Sequence, residues 1–268
     1  MSSEALTTRV VPPLPRRWRG RYLVERNISA TKSFWPVLVS GFFEPLFYLF
    51  AIGVGIGGLI DSGVEFGGTS FSYTAFVAPA MLAASAMNGA VFESTNIFFK
   101  LKYGKTYEGV LATPVEPLDV ASGEIAWTLA RGAAYSAAFL LVMAAMGLIE
   151  SPWGILAFPA TILVGFAFGA VATAGVTYMR TWQDLDLVTL ATLPLFLFSA
   201  TFFPIEIYPT WLQPIVWLSP LTQSVELIRG LTLGVIEWTM LVNVVYLTAM
   251  GLVGSWITAR RFGDLLRK

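Results

Sequence analysis

The sequence predicts an all-α polytopic membrane protein with six transmembrane helices, an N-terminal interfacial helix and an external re-entrant helical hairpin between helices five and six. Three observations carry this. The 268 residues are 56% hydrophobic and 13% charged, with a mean hydropathy of +0.68, whereas about a quarter of an average soluble chain is charged. Too little polar material exists to coat a water-soluble globule. The charges also divide the chain into apolar runs, and a run of about 20 residues, each rising about 1.5 Å, crosses roughly 30 Å of hydrocarbon. Finally, lysines and arginines gather in alternate connections, as they do in cytoplasmic loops.

The spans expected are Phe34 to Ile60, Phe71 to Phe99, Val120 to Ile149, Trp153 to Met179, Leu187 to Thr201 and Trp238 to Thr258. The basic residues that orient them are Arg9, Arg16, Arg17, Arg19, Arg21, Arg26 and Lys32 ahead of the first span, Lys100, Lys102 and Lys105 after the second, Arg180 after the fourth, and Arg260, Arg261, Arg267 and Lys268 at the end. The intervening loops hold only Arg229. Both termini are therefore expected in the cytoplasm, with residues 1–33 a tail plus interfacial helix, 34–258 the six-helix membrane domain and 259–268 a cytoplasmic tail. Arg16 to Lys32 interleaves Arg with Trp18, Tyr22 and Leu23, the pattern of a helix lying in the headgroup plane; a positive-inside anchor alone is the other reading. The first apolar run is of full span length and lacks a small-residue cleavage site, so no cleaved signal peptide is expected.

The chain has no cysteine and no histidine. That excludes disulfides, thiolate chemistry, histidine acid–base catalysis and most zinc sites. Gly104-Lys105-Thr106 ends like a phosphate-binding loop, but the position five before Gly104, where that loop needs a glycine, is Phe99. Asp184 and Asp186 read as a hydrated turn, since no further carboxylate lies near them. No catalytic, cofactor-binding or metal-binding residue is expected.

Ionisable residues within spans are costly, and Glu44, Glu93 and Arg131 qualify. Either Glu44 or Glu93 pairs with Arg131 to hold the bundle, or these groups touch a transported molecule; Glu93, near the cytoplasmic end of its span, is the one that water can reach. Gly53, Gly55, Gly57 and Gly58, and again Gly165 and Gly169, permit close helix approach. The loop from Leu101 to Leu118 carries Tyr103, Tyr107, Glu108, Val110 and Leu111, and on a short helix Tyr107, Val110 and Leu111 share an apolar face available for docking on a partner.

The segment 202–237 is too apolar for a solvated loop and too broken by Pro204, Pro209, Pro214 and Pro220 for a span. The fifth span, at about 22 Å, is short of the hydrocarbon core. A re-entrant hairpin fits, with Phe202, Phe203 and Pro204 as an external gate and Trp211 and Trp217 at the headgroups; a loop lying flat on the outer leaflet is the alternative.

Three strings now resemble a known family. FLFSATFFPIEIYPTWLQPIVWLSPLTQSVELIRGL (Phe196 to Leu231), EPLFYLFAIGVGIG (Glu44 to Gly57) and LKYGKTYEGVLATPV (Leu101 to Val115) are similar to type-2 ABC exporter permeases, in the branch with nodulation-factor and daunorubicin exporter permeases. The resemblance implies six helices, a second permease copy, and two copies of a separate cytoplasmic ABC ATPase subunit that uses ATP and Mg. It also implies a coupling helix between helices two and three. The chain lacks a large external domain, so an adaptor platform is not suggested. Membrane lipids are expected partners and nucleic acid is not. The bacterial cytoplasmic membrane is the expected location, and the cargo implied is amphipathic or lipid-linked. A secondary transporter or a membrane-embedded enzyme is the alternative from residues alone, although neither repeated broken helices nor convergent polar groups at depth are evident.

Overall fold

A computed structural model describes residues 18–32, 43, 46–60 and 63–266. Its elements run α1 (Arg21–Lys32), α2 (Leu46–Gly57), a hairpin of β1 (Val64–Phe66) and β2 (Thr69–Phe71), α3 (Tyr73–Lys102), α4 (Thr106–Leu111), α5 (Pro117–Ala145), α6 (Ala157–Val176), α7 (Asp186–Leu197), α8 (Gln213–Leu218), α9 (Pro220–Leu233) and α10 (Thr239–Leu266). Short 3₁₀ turns precede α6 and α7.

Four of these helices are long and apolar enough to cross a membrane: α3, α5, α6 with the turn before it (Pro152–Val176), and α10. The first predicted span is described only from α2 onward, and Glu44 and Pro45 lie outside the described residues. The fifth is the 12-residue α7, about 18 Å long. The all-α expectation needs one correction. Residues 64–71 form a small antiparallel hairpin, pairing Val64 with Phe71 and Phe66 with Thr69. Its two-residue turn is Gly67-Gly68, both at positive φ (59° and 77°), which glycine adopts at little cost and which matches the strand twist.

Helix α3 is the hub. Its N-terminus is capped by Ser72, which accepts from the Ala75 N–H at 3.2 Å. A run of alanines from Ala75 to Ala90, all buried, lets α5, α6 and α9 approach it closely. Around it lies the main core, with Phe76, Met81, Met87, Phe139, Met143 and Phe168. A second, smaller cluster joins Leu23, Ile97, Phe98, Tyr107, Val120 and Phe262 at the other end. Of the predicted close-approach glycines, Gly53 and Gly57 face Thr74, whose Oγ1 donates to the Gly53 carbonyl at 2.6 Å, and Gly169 faces Thr128.

At α5, Pro117 occupies the first helical position and Glu116 and Asp119 form a reciprocal capping box. The helix of the last expected span does not stop at Thr258: α10 continues to Leu266, with Phe262 fully buried. Thr258 and Phe262, one turn apart, both face inward, and no proline interrupts the helix, so the buried stripe continues through Gly263.

Candidate functional site

Two ion-pair clusters join the same two helices. In the first, Glu124 of α5 is 0% exposed and accepts from the Lys100 ammonium of α3 at 2.8 Å, from Asn27 Nδ2 of α1 at 3.0 Å and from the Tyr107 hydroxyl of α4 at 3.0 Å. Arg26 Nη2 stands 3.7 Å from Oε1, the oxygen that Tyr107 also reaches. Asn27 Oδ1 in turn accepts from Lys100 and Arg26, each at 3.2 Å. A buried carboxylate costs several kcal/mol unless its lone pairs are met, and here three other elements, α1, α3 and α4, supply the donors. Burial first, then the negative charge of Glu124, hold the Tyr107 hydroxyl well above its ordinary pKa, so it stays protonated and keeps donating.

The second cluster lies one heptad along both helices. Glu93 on α3 accepts from Arg131 Nη1 of α5 at 2.5 Å, from Trp127 Nε1 at 3.1 Å and from Asn96 at 3.2 Å. Arg131 also donates to the Tyr135 hydroxyl at 3.1 Å and stacks on Phe92 and Tyr135. The sequence-based pairing of Glu93 with Arg131 is present, but Glu93 is buried at 2% exposure rather than reached by water. On α3 the order is Glu93 then Lys100; on α5 it is Glu124 then Arg131. Because the helices pair Lys100 with Glu124 and Glu93 with Arg131, they run antiparallel in register, and each seven-residue interval covers about two turns, roughly 10 Å.

Beside the second cluster opens a cavity of about 610 Å³ between α2, α3, α5 and α7. Asn88, Arg131 and Tyr135 supply polar groups to it, and Tyr48, Phe92 and Phe196 supply aromatic walls. Concave, mostly apolar sites with a few convergent polar groups are where ligands bind.

The predicted docking face of α4 is corrected. Tyr107 is 1% exposed, packed edge-on against Phe262 with ring centroids 5.7 Å apart, and Val110 and Leu111 pack on the inner cluster. The apolar stripe holds α4 to the membrane helices, because Glu124 and Phe262 compete for it more favourably than water does. What faces outward is Tyr103, Lys105, Glu108, Gly109 and Ala112.

At the opposite end, the chain leaves α7 through Ala200, held at φ 52°. Arg229 of α9 is 1% exposed and grips this break. Its Nε donates to the Phe76 carbonyl at 3.1 Å, and its Nη2 donates to the carbonyls of Ala200 and Thr201 at 2.9 and 3.3 Å. Its guanidinium also lies 3.7 Å from the Phe76 ring centroid. Phe202 packs edge-on against Phe196 and Phe203 lies over Tyr208. Pro204 precedes a 3₁₀ turn, while Trp211 and Trp217 are exposed. Asp184 accepts from the N–H groups of Arg180 and Thr181 at 2.7 and 3.1 Å, which hold its carboxyl below the usual range; it caps a turn. Among the described residues no acidic cluster suits a metal ion.

Sequence reasoning passed over Glu124 and read Arg229 as a loop charge. Glu124 had a signal, a carboxylate inside the apolar run from Val120. The matched Glu-x₆-Lys and Glu-x₆-Arg intervals were a second. Nothing in the sequence pointed to Asn27 as their partner.

A helical membrane protein with charge pairs along its central helices, a cavity beside them and a broken, buried segment at one end is a membrane permease, and the chain belongs to the ABC-2 type transporter family, which matches residues 20–233. It is 32% identical over 220 residues to Nodulation protein J of Rhizobium leguminosarum bv. trifolii, covering 81% of this chain and 80% of that one. It is 31% identical to Nodulation protein J of Sinorhizobium fredii over 79% and 78%. Against the Inner membrane transport permease YadH of Escherichia coli it is 24% identical over 71% and 76%. The protein is thus a bacterial inner-membrane transporter permease.

Proposed function

We propose that this chain is the membrane subunit of an ATP-driven exporter, paired with a second permease copy and with two copies of a cytoplasmic ATPase that binds ATP and Mg. The cargo is amphipathic or lipid-linked: a lipo-oligosaccharide, polysaccharide precursor, glycolipid or drug. The likeness to Nodulation protein J supports this class, as does a cavity that combines aromatic walls with amide and hydroxyl groups. Both termini face the cytoplasm, consistent with the basic residues at each end. Residues 202–237 form the re-entrant outer segment, with Phe202, Phe203 and Pro204 at its gate.

The observation that carries the reading is the shared register of the two charge clusters. Helix α4 is bonded through Tyr107 to Glu124, and the helices carrying Glu124 and Lys100 also carry Arg131 and Glu93 beside the cavity. A push on the outer face of α4, at Glu108 and Gly109, is therefore delivered to the cavity wall by two helices that cannot slip past each other without breaking both pairs. The test is ATPase activity of the purified chain alone and with its cognate ATPase in proteoliposomes. The chain alone is expected to be inert. In the complex, Glu108→Arg with Gly109→Trp should abolish most cargo-stimulated turnover while membrane insertion persists; robust hydrolysis by the isolated chain, or wild-type coupling in the double variant, would overturn the proposal.

A further inference from the structure

A second cavity, of about 700 Å³, lies far from the first, where the end of α6, the end of α10 and the start of α5 meet. Leu118, Tyr178, Trp256, Arg260 and Arg261 line it. Up to this point α10 presents Leu241, Val245, Leu252 and Trp256 outward, an apolar stripe facing acyl chains. Trp256 and the exposed Tyr178 then mark the headgroup level, where amphipathic rings concentrate.

Each ring carries an arginine. The Arg260 guanidinium lies 4.4 Å from the Trp256 ring centroid, and that of Arg261 lies 4.2 Å from the Tyr178 ring. Stacking holds both planes but uses none of their N–H groups. Arg261 Nη2 donates to the Thr177 carbonyl at 3.3 Å, while its Nε is turned into the protein without an acceptor. Asp264 stands at the rim, yet none of the ion pairs among the described residues involves it or either arginine. Two fixed guanidinium groups with free donor edges, at headgroup height and beside a lipid-facing stripe, lack an anion.

We propose that this cavity binds the headgroup phosphate of an anionic phospholipid, with Arg260 and Arg261 as donors and the acyl chains lying along Leu252 and Trp256. Arginine pairs with phosphate oxygens in a planar, two-pronged geometry, and basic pockets between helices at the membrane surface select acidic lipids. The site is separate from the cargo cavity and stands whether or not the exporter reading does. An acidic surface on a partner ATPase is the competing occupant; the lipid is favoured because the apolar stripe of α10 runs directly into the cavity mouth, giving two chains as well as a headgroup a place to lie.

The experiment is native mass spectrometry of the full-length protein released from nanodiscs holding equal phosphatidylglycerol and phosphatidylcholine. The wild type should retain phosphatidylglycerol selectively. Arg260→Gln, which removes no hydrogen bond within the protein, should lower that selectivity about fivefold, and the double variant with Arg261→Gln further, at roughly fivefold per basic group. Millimolar inorganic phosphate should displace none of it. Equal retention of both lipids, or undiminished selectivity in Arg260→Gln, overturns the proposal. So does displacement by free phosphate, which would make the site one for a soluble anion, and so does a loss confined to co-purification of the ATPase.

Discussion

Replacing Glu124 by glutamine tests whether the buried carboxylate holds α1, α3, α4 and α5 together. The side chain keeps its shape, but Lys100 and Arg26 lose their counter-charge, and an amide can no longer accept from Lys100, Asn27 and Tyr107 together. Removing one partner of a buried ion pair costs about 3–5 kcal/mol. The Lys100 and Arg26 side chains keep 20% and 34% of their exposure, so water screens part of the loss and about 2–3 kcal/mol is expected. At about 2–3 °C per kcal/mol for a chain of this length, the detergent-solubilised protein should melt about 4–9 °C lower, read by size-exclusion thermal shift. Amide exchange over residues 106–111 should accelerate, because α4 loses its polar anchor. Adding Lys100→Met should restore part of the loss, since it removes the ammonium left without its counter-charge. A melting change within about 1 °C in the single variant, or strictly additive losses in the double one, would refute the reasoning.

Gly123 sits where a Cβ would lie 2.7 Å from the Gly20 carbonyl oxygen and 3.0 Å from Leu23 Cβ, so Gly123→Ala should lift α1 from α5 at a cost of about 1–3 kcal/mol, seen as faster exchange over residues 21–32 with α10 unaffected. Helix α7 buries none of its residues and exposes Leu190, Leu193 and Leu197 on one stripe. Single cysteines there, in a chain with none of its own, should cross-link a second copy in membranes, whereas Leu241→Cys on α10 should not; equal yields at both sites would remove α7 as the contact.

The long spans were legible because charge and apolar length decide them. The helices α3, α5, α6 and α10 begin within about four residues of the expected positions, whereas their ends were misjudged in both directions: α5 stops at Ala145 and α6 at Val176, short of Ile149 and Met179, while α10 runs past Thr258 to Leu266. The hairpin at 64–71 escaped because it is short and its main signal is two adjacent glycines. Composition could place Tyr107 on an apolar face but could not say which way that face turns. Direction depends on partners distant in sequence, here Glu124 and Phe262. Arg229 escaped for the same reason: its acceptors are main-chain carbonyls of residues 76, 200 and 201, which no side-chain pattern displays.

The contact between α6 and α10 leaves no room for a hydrocarbon chain. A Cβ on Gly254 would fall 2.7 Å from the backbone of Ala170 and Val171, one on Gly251 would meet the Phe166 ring, and Thr258 reaches across to the Ala170 carbonyl at 3.3 Å. For a molecule that travels sideways out of the bilayer, this flank of the subunit is a closed seam. The cavity of about 610 Å³ opens on a different flank, between α2 and α7, so in the proposed pair of permeases the sealed face and the cargo-receiving face of each subunit would be different sides.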